Sequence, residues 1–217
     1  MNEVQRSKII LKILNRIYPK TPIPLKHRNK FTLLVSVLLS AQTTDVNVNK
    51  VNKNIYPKYN EPEHFVKLGR KKIEKLIKSI GIFRVKAKSV YLLSKQIIEK
   101  HSGKVPDNFE DLEKLPGVGH KTASVVMSQG FGYAAFPVDT HIHRLAQRWA
   151  FTSGKNVKQT ERDLKRIFPK SMWNILHLQI IFYGREHCTA RGCDGTKCKI
   201  CKELYPKRRL PVQCTKA

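Results

Sequence analysis

Apolar residues recur at helical spacing along almost the whole chain. In residues 4–17, Ile10, Leu14 and Ile17 form one stripe. Residues 31–41 are apolar almost all round, which is typical of a buried central helix. The other predicted helices are residues 44–55, 62–68, 70–79, 85–101, 109–114, 120–129, 140–150, 157–167 and 172–185. Because no segment alternates apolar and polar residues for long enough to predict a strand, the predicted fold class is all-α.

Composition limits the class of protein. The 217 residues are 41% hydrophobic, enough for one large or two small cores. The longest apolar run, residues 31–41, is shorter than the roughly 18 residues of a membrane span. The N-terminus lacks the pattern of a secretory signal. We therefore expect a cytoplasmic protein, associated with the nucleoid if the source is bacterial.

The charge of the chain is strongly positive. There are 42 Lys and Arg against 16 Asp and Glu, a net charge of +26. Codon bias explains part of such an excess but not its clustering, because residues 67–88 hold nine basic residues and one acid, Glu74. A basic surface of this kind favours nucleic acid as the partner over an anionic membrane.

A glycine turn separates two predicted helices at residues 115–123. Pro116 ends the first helix, and Gly117 and Gly119 permit dihedrals that other residues disfavour. The next helix begins near His120, and its positive N-terminal end suits a phosphate oxygen. An ordinary αα-hairpin without a ligand has the same spacing. The basic surface favours the phosphate-binding interpretation.

Lys121 and Asp139 are candidates for chemistry. The positive end of a helix and partial burial both favour the neutral amine that a Schiff-base nucleophile requires. Asp139 is the only acid between Lys114 and Glu161, and such a carboxylate suits stabilisation of a cationic sugar and acceptance of a proton. The structural alternatives are a phosphate contact for Lys121 and a helix N-cap for Asp139.

All five cysteines lie in the last 30 residues of the chain. Without an export signal, disulfides are disfavoured. The clustering predicts a metal centre, with zinc or a four-iron cluster as the candidates.

Four segments together resemble the endonuclease III family of helix-hairpin-helix DNA glycosylases. The resemblance extends from about residue 5 to residue 201. The segments are Leu115-Pro116-Gly117-Val118-Gly119-His120-Lys121-Thr122-Ala123, Val138-Asp139-Thr140-His141, Leu38-Leu39-Ser40-Ala41-Gln42-Thr43-Thr44-Asp45, and Tyr183-Gly184-Arg185 before Cys188.

The resemblance implies a monomer of two helical lobes with double-stranded DNA between them. One lobe is residues 24–133 with the hairpin at 115–121, and the other is residues 1–23 plus 134–217 with the cysteines at 188–214. Lys121 would face Asp139 across the cleft.

The activity implied is base excision repair by a bifunctional DNA N-glycosylase and abasic-site lyase. Lys121 would attack C1′ of a flipped oxidised pyrimidine with help from Asp139, and β-elimination would nick the strand. One alternative is a monofunctional adenine-type glycosylase, which generally lacks this lysine. The other is a non-catalytic helix-hairpin-helix DNA-binding module, which needs neither residue.

The resemblance also implies residues that contact DNA. Gln42 would fill the gap left by the flipped nucleotide, and Ile82 would act as an apolar wedge. Arg84, Lys86 and Lys88 are expected to contact phosphates. The other predicted DNA-binding residues are Gly117, Val118, Gly119, His120 and His141.

The family implies a structural 4Fe–4S cluster held by four cysteines, but the spacing here departs from the family pattern. The usual gaps between ligands are six, two and five residues, whereas Cys188 is followed by nine residues, Cys198, two residues and Cys201. Lys207 occupies the usual fourth position. The predicted ligands are therefore Cys188, Cys198, Cys201 and Cys214, with Cys193 as the alternative to Cys214.

Overall fold

A computed structural model describes all 217 residues and contains helices but no strands. The predicted all-α class is confirmed. The helices are α1 (Glu3–Ile17), α2 (Lys30–Ser40), α3 (Asp45–Ile55), α4 (Pro62–Leu76), α5 (Phe83–His101), α6 (Phe109–Glu113), α7 (His120–Val125), α8 (Thr140–Arg148), α9 (Val157–Ile167), α10 (Trp173–Glu186) and α11 (Lys199–Leu204).

Short polar side chains begin most of the helices. Each accepts a hydrogen bond from a backbone N–H of the first turn, which would otherwise lack a partner. These N-caps are Asn2, Asn29, Thr44, Asn108, Asp139 and Asn156. The starts of the helices are therefore specified locally by the sequence.

The bounds of some predicted helices needed small adjustments. The predicted division between residues 62–68 and 70–79 is present as a non-helical kink at Gly69 (φ 72°, ψ 157°) within the run α4, which ends at Leu76. The helix predicted at 120–129 is α7 followed by a π-helical turn, Val126–Gly130. The short α11 lies among the cysteines, where no helix was predicted.

The chain forms two compact units. The hairpin unit is Ile23–Tyr133, and the cysteine unit is Met1–Pro22 together with Ala134–Ala217. In the hairpin unit, nine of the eleven residues of α2 are buried, as expected of a central helix. In the cysteine unit, four cysteines belong to the same buried apolar cluster as Trp149 and Tyr183. No helix combines the length and the hydropathy needed to cross a membrane.

Candidate functional site

The hairpin is a tight turn packed on α5. Val118 N–H donates to the Leu115 carbonyl (3.0 Å), and Gly117 has a φ of 81°. A Cβ added at Gly117 would lie 2.7 Å from the Cβ of Ser89, closer than real side chains approach. The positive φ and the close packing both require glycine here.

The exposed side of the turn is open to a close backbone approach. A Cβ added at Gly119 would meet nothing within 4 Å, and no side chain caps the start of α7. Val118 is buried, so only its backbone is available to a ligand. The exposed His120 ring is held in place, because Nδ1 lies 2.7 Å from Glu113 Oε1 and the ring stacks on Phe109.

Lys121 lies in the first turn of α7, directly after the hairpin, and its side chain is exposed. The partial burial expected from the sequence is therefore not observed.

Gln42 and Ile82 are the two exposed residues of the hairpin unit that the sequence associates with opening a duplex. Gln42 follows α2, and Ile82 precedes α5 as its N-cap. Both have left-handed dihedrals, with φ of 53° and 49°, which β-branched and other non-glycine residues disfavour. The Ile82 side chain is 52% exposed.

The structure corrects the prediction for Lys86. Eight of the nine basic residues in 67–88 are exposed, but Lys86 is 3% exposed and cannot contact a phosphate. Burial lowers the pKa of the Lys86 ammonium. Its Nζ donates instead to backbone and side-chain oxygens between α2 and α3.

Asp139 is the N-cap of α8 in the cysteine unit. Its Oδ1 accepts from the Ile142 N–H at 2.8 Å. The carboxylate is half-buried, and Oδ1 is the oxygen that caps the helix. The N-cap expected as the structural alternative is therefore present, and it is compatible with a chemical role for the second oxygen.

The two histidines after Asp139 differ in their surroundings. His143 is buried, and its ring nitrogens contact Thr160 Oγ1 (2.8 Å) and Thr215 Oγ1 (3.2 Å). His141 is half-buried, and burial lowers its pKa. Its Nδ1 accepts a 3.3 Å hydrogen bond from Arg144. The structure therefore assigns His143 to the fold and leaves the partly exposed His141 ring as a candidate for DNA contact.

Four cysteine sulfurs lie together in the cysteine unit. The Sγ atoms of Cys188, Cys193, Cys198 and Cys201 are buried and all lie within 4.8 Å of one another. None forms a disulfide. The predicted fourth member, Cys214, is not in this group, because its Sγ contacts the carbonyls of Arg144 and Val212 at 3.7 Å.

The prediction of Cys214 as the fourth ligand is therefore replaced by Cys193. The physical reason is the path of the chain after α11. The backbone passes over the loop that carries Cys193, where Val212 N–H donates to the Asp194 carbonyl (2.8 Å) and Arg208 donates to the Gly195 carbonyl (3.1 Å). Cys214 continues beyond that contact, to α8.

The surroundings of the four sulfurs suit a metal site. Arg148 is 4% exposed and donates to the Cys188 Sγ at 3.3 Å. This hydrogen bond opposes the rise in the pKa of Cys188 that is caused by its hydrogen bond with Cys198 and by burial. A hydrogen bond with Cys188 and a second with Cys201 lower the pKa of Cys198. An all-sulfur donor set of this kind binds zinc or an iron–sulfur cluster.

Comparison with known families decides the identity of the chain. Residues 35–170 match the HhH-GPD superfamily of base excision DNA repair proteins. The chain belongs to this superfamily. The match includes the hairpin, Lys121 and Asp139, and it ends before the cysteines.

Relatives place the chain in the endonuclease III family within the HhH-GPD superfamily. Endonuclease III of Bacillus subtilis is 40% identical over 207 residues, covering 94% of this chain and 94% of that protein. Endonuclease III of Escherichia coli K12 is 41% identical over 203 residues, covering 92% and 94%. The recognition made from the four sequence segments is thus confirmed.

Solved structures agree with the family assignment. A trapped covalent intermediate of endonuclease III with DNA has a TM-score of 0.87 and 40% identity, covering 92% of this chain and 94% of that chain. A non-covalent endonuclease III–DNA complex has a TM-score of 0.86 and 39% identity, covering 95% and 100%. The endonuclease III fold therefore extends over nearly all of this chain.

Two interactions near the site were not predicted from the sequence pattern. Arg148 follows Asp139 by nine residues, and no local pattern shows that its guanidinium reaches Cys188. The burial of Lys86 had a detectable signal, because Lys86 falls on the helical stripe of Val90, Leu93 and Ile97, the apolar face of α5.

Proposed function

We propose that this protein is a bifunctional DNA glycosylase and abasic-site lyase of base excision repair that removes oxidised pyrimidines. The observation that carries the proposal is the exposed amine of Lys121 directly after the hairpin, in a chain similar to endonuclease III over 94% of its length. A similar structure is a trapped covalent intermediate of endonuclease III with DNA. A covalent intermediate requires a nucleophile on the protein, and a neutral lysine amine supplies one.

The first step breaks the bond between base and sugar. Lys121 Nζ forms a bond to C1′ of the damaged nucleotide while the C1′–N glycosidic bond breaks. The electron pair of that bond leaves with the base, which takes up a proton. Positive charge develops on the sugar, and the carboxylate of Asp139 stabilises it.

The second step breaks the strand. The Lys121 nitrogen loses a proton and forms a double bond to C1′ while the C1′–O4′ bond breaks and O4′ takes up a proton, which opens the sugar ring and gives a protonated imine. Removal of a C2′ proton then breaks the C3′–O bond, and the 3′ phosphate leaves. Water hydrolyses the imine and regenerates the free amine. We assign the role of proton acceptor to Asp139 Oδ2, because Oδ1 is occupied as the N-cap of α8.

Duplex binding involves the exposed turns of the hairpin unit. The backbone of Gly117, Val118 and Gly119 would approach a phosphate, and Gln42 and Ile82 would occupy the space left by the flipped nucleotide. His120 and His141 are further proposed DNA contacts. The eight exposed basic residues of 67–88 supply the charge that attracts the phosphate backbone.

The cysteine unit is proposed to hold a structural 4Fe–4S cluster. Cys188, Cys193, Cys198 and Cys201 would be its ligands, because their sulfurs are mutually close and buried. When bound, the cluster supplies a covalent cross-link among these residues and fixes the basic loop near Lys197, Lys199 and Lys202. Metal analysis separates it from zinc, since the cluster implies about four irons per chain and a yellow-brown protein.

Three further expectations belong to the same proposal. The substrate is double-stranded DNA with a damaged pyrimidine or an abasic site, the protein acts as a monomer, and it works in the cytoplasm on the genome. The division into lobes at 24–133 and at 1–23 plus 134–217 also remains a proposal. Limited proteolysis near the two connections between the units tests it.

Borohydride trapping tests the proposed chemistry. The protein is mixed with duplexes that carry thymine glycol or an abasic site, and the reductant converts any imine into a stable covalent band. We expect a band with both duplexes, absent in Lys121→Ala and retained in Lys95→Ala, which removes an exposed lysine on α5.

Two other results would change the assignment. A band on abasic DNA alone would mean a lyase without the proposed base specificity. No band on either duplex, from folded protein that still binds DNA, would indicate a monofunctional glycosylase or a binding module.

A further inference from the structure

Lys86 is a buried lysine whose hydrogen bonds are all directed to one turn. Its Nζ donates to the Leu39 carbonyl at 2.9 Å, the Ala41 carbonyl at 2.5 Å and the Thr43 hydroxyl at 3.1 Å. An ammonium has three donors, so its hydrogen-bonding capacity is fully used. Burying a charge is costly unless the charge is hydrogen-bonded, and the Lys86 ammonium meets this condition through the three oxygens named above.

The turn that Lys86 contacts is the unusual end of α2. The last carbonyls of a helix have no partner within the helix, and its C-terminal end is negative. Helices commonly end on a glycine with left-handed dihedrals, but here that position is Gln42, with a φ of 53°. The Lys86 ammonium supplies both the hydrogen bonds and the positive charge that stabilise this end of α2.

Lys86 also belongs to the segment that presents Ile82. Its backbone N–H donates to the Ile82 carbonyl at 3.2 Å in the first turn of α5. Gly81, which precedes Ile82, lies close to the turn that contains Gln42. A Cβ added at Gly81 would be 3.3 Å from the Gln42 carbonyl oxygen. Asn47 of α3, the helix that follows the turn at 39–43, donates through Nδ2 to the Ser79 carbonyl at 2.8 Å.

We propose that Lys86 is a positioning residue that holds Gln42 and Ile82 together as one preformed wedge. The inference rests on the proposed function, in which those two side chains enter the duplex. The turns at 39–43 and 79–82 are strained at Gln42 and Ile82, which have left-handed dihedrals. Each turn contains one buried apolar residue, Leu39 or Ile80, and the Lys86 ammonium adds three directed hydrogen bonds to this apolar packing. Fixing the two turns before DNA arrives removes an entropic cost from the step in which the base leaves the stack.

The test compares two reactions of one enzyme. Excision of thymine glycol requires an intact base to leave the stack, whereas cleavage of an abasic site does not. In single-turnover assays we expect Lys86→Met to slow excision roughly 10- to 100-fold and to slow abasic-site cleavage no more than about threefold. Lys95→Met, on the exposed face of the same helix, is the matched control.

A second variant covers the case in which Lys86→Met does not fold. Thr43→Val keeps the shape of the side chain and removes one of the three acceptors. It should change the two rates in the same direction by a smaller factor, and hydrogen exchange of the amides in 40–44 should accelerate. Circular dichroism establishes that each variant is folded.

The outcomes separate the two proposals. Wild-type protein inactive on both duplexes would overturn the proposed function and this inference with it. Active wild-type protein, with both rates lowered equally in folded Lys86→Met or Thr43→Val, would leave the function intact and reduce Lys86 to a structural role.

Discussion

The hairpin at residues 115–121 and the cysteine loop at residues 188–201 both concentrate functional groups, but their geometry has different origins. The hairpin is specified mainly by neighbours in sequence, which are Pro116, two glycines and hydrogen bonds between residues three or four apart. One distant residue, Ser89 of α5, packs closely against Gly117. The cysteine loop depends on distant partners. Arg148 contacts it from α8, and Arg208 and Val212 contact it from the C-terminal segment.

The origin of the geometry determines how much change in sequence each region tolerates. A turn specified by local dihedrals requires particular residues at particular positions, and the hairpin lies within residues 35–170, which match the HhH-GPD superfamily. A set of four sulfurs needs only to converge in space, so a ligand from another part of the loop serves equally well. Cys193 occupies such a position, whereas Lys207 stands where the family places its fourth cysteine.

The largest expected effect comes from removing one sulfur from the cysteine loop. We expect Cys193→Ala to reduce iron from about four per chain to below about one and to destabilise the cysteine unit by several kcal/mol, because metal binding is coupled to folding. Iron and sulfide analysis with absorption spectroscopy measures the loss. The matched variant Cys214→Ala should keep its iron, since Cys214 lies outside the group of four. The reverse pattern would restore Cys214 as the ligand.

A smaller effect is expected in the hairpin. Gly117→Ala places a methyl group 2.7 Å from Ser89 at a φ of 81°, and we expect the free energy of unfolding to fall by about 2–4 kcal/mol from strain and overpacking together. The methyl group of Gly119→Ala meets no neighbouring atom, and this variant should change the free energy of unfolding by less than about 0.5 kcal/mol. Urea denaturation measures both. Equal losses would mean that the hairpin is not held by close packing at Gly117.

The smallest expected effect is a pH dependence of the free energy of unfolding that arises from a buried histidine in the cysteine unit. Burial lowers the pKa of His177 in α10 to about 4 from 6.5, although the charge of Asp139 opposes this shift. Between these values the unfolded chain binds the proton and the folded chain does not. Stability is therefore complete above pH 6.5 and is lost as the pH falls toward 4, by about 2 kcal/mol at pH 5.

The measurement is urea denaturation at pH 7 and pH 5. His177→Gln should remove most of the difference between the two pH values. A wild-type protein equally stable at both would contradict the burial of a neutral His177.

Periodicity and caps were sufficient to predict most of the fold. The helix predicted at 4–17 is α1, Glu3–Ile17, and the helix predicted at 157–167 is α9, Val157–Ile167. The separation of residues 62–68 from 70–79 marked the kink at Gly69. These features are local, because helical hydrogen bonds and N-caps join residues three or four apart.

The residues of the candidate site likewise fall into those that local sequence predicts and those that it does not. Lys121 and the hairpin follow from adjacent residues, and so does the N-cap role of Asp139. The roles of these residues in catalysis, and those of Gln42 and Ile82 on DNA, remain predictions. Lys86 was expected among exposed phosphate contacts, because charge counts do not say which lysine of a helix points inward.

Local sequence patterns were sufficient to predict the all-α class, the family, the hairpin and the presence of a cysteine centre. The grouping of Cys193 with Cys188, Cys198 and Cys201, and the hydrogen bonds of Lys86 at the end of α2, depend on how distant segments pack in three dimensions. This division reflects the distance along the chain over which each kind of interaction acts. Dihedral preferences and helical periodicity act within a few residues, whereas the partners of a buried ammonium or a thiol are chosen by which segments the core packs together.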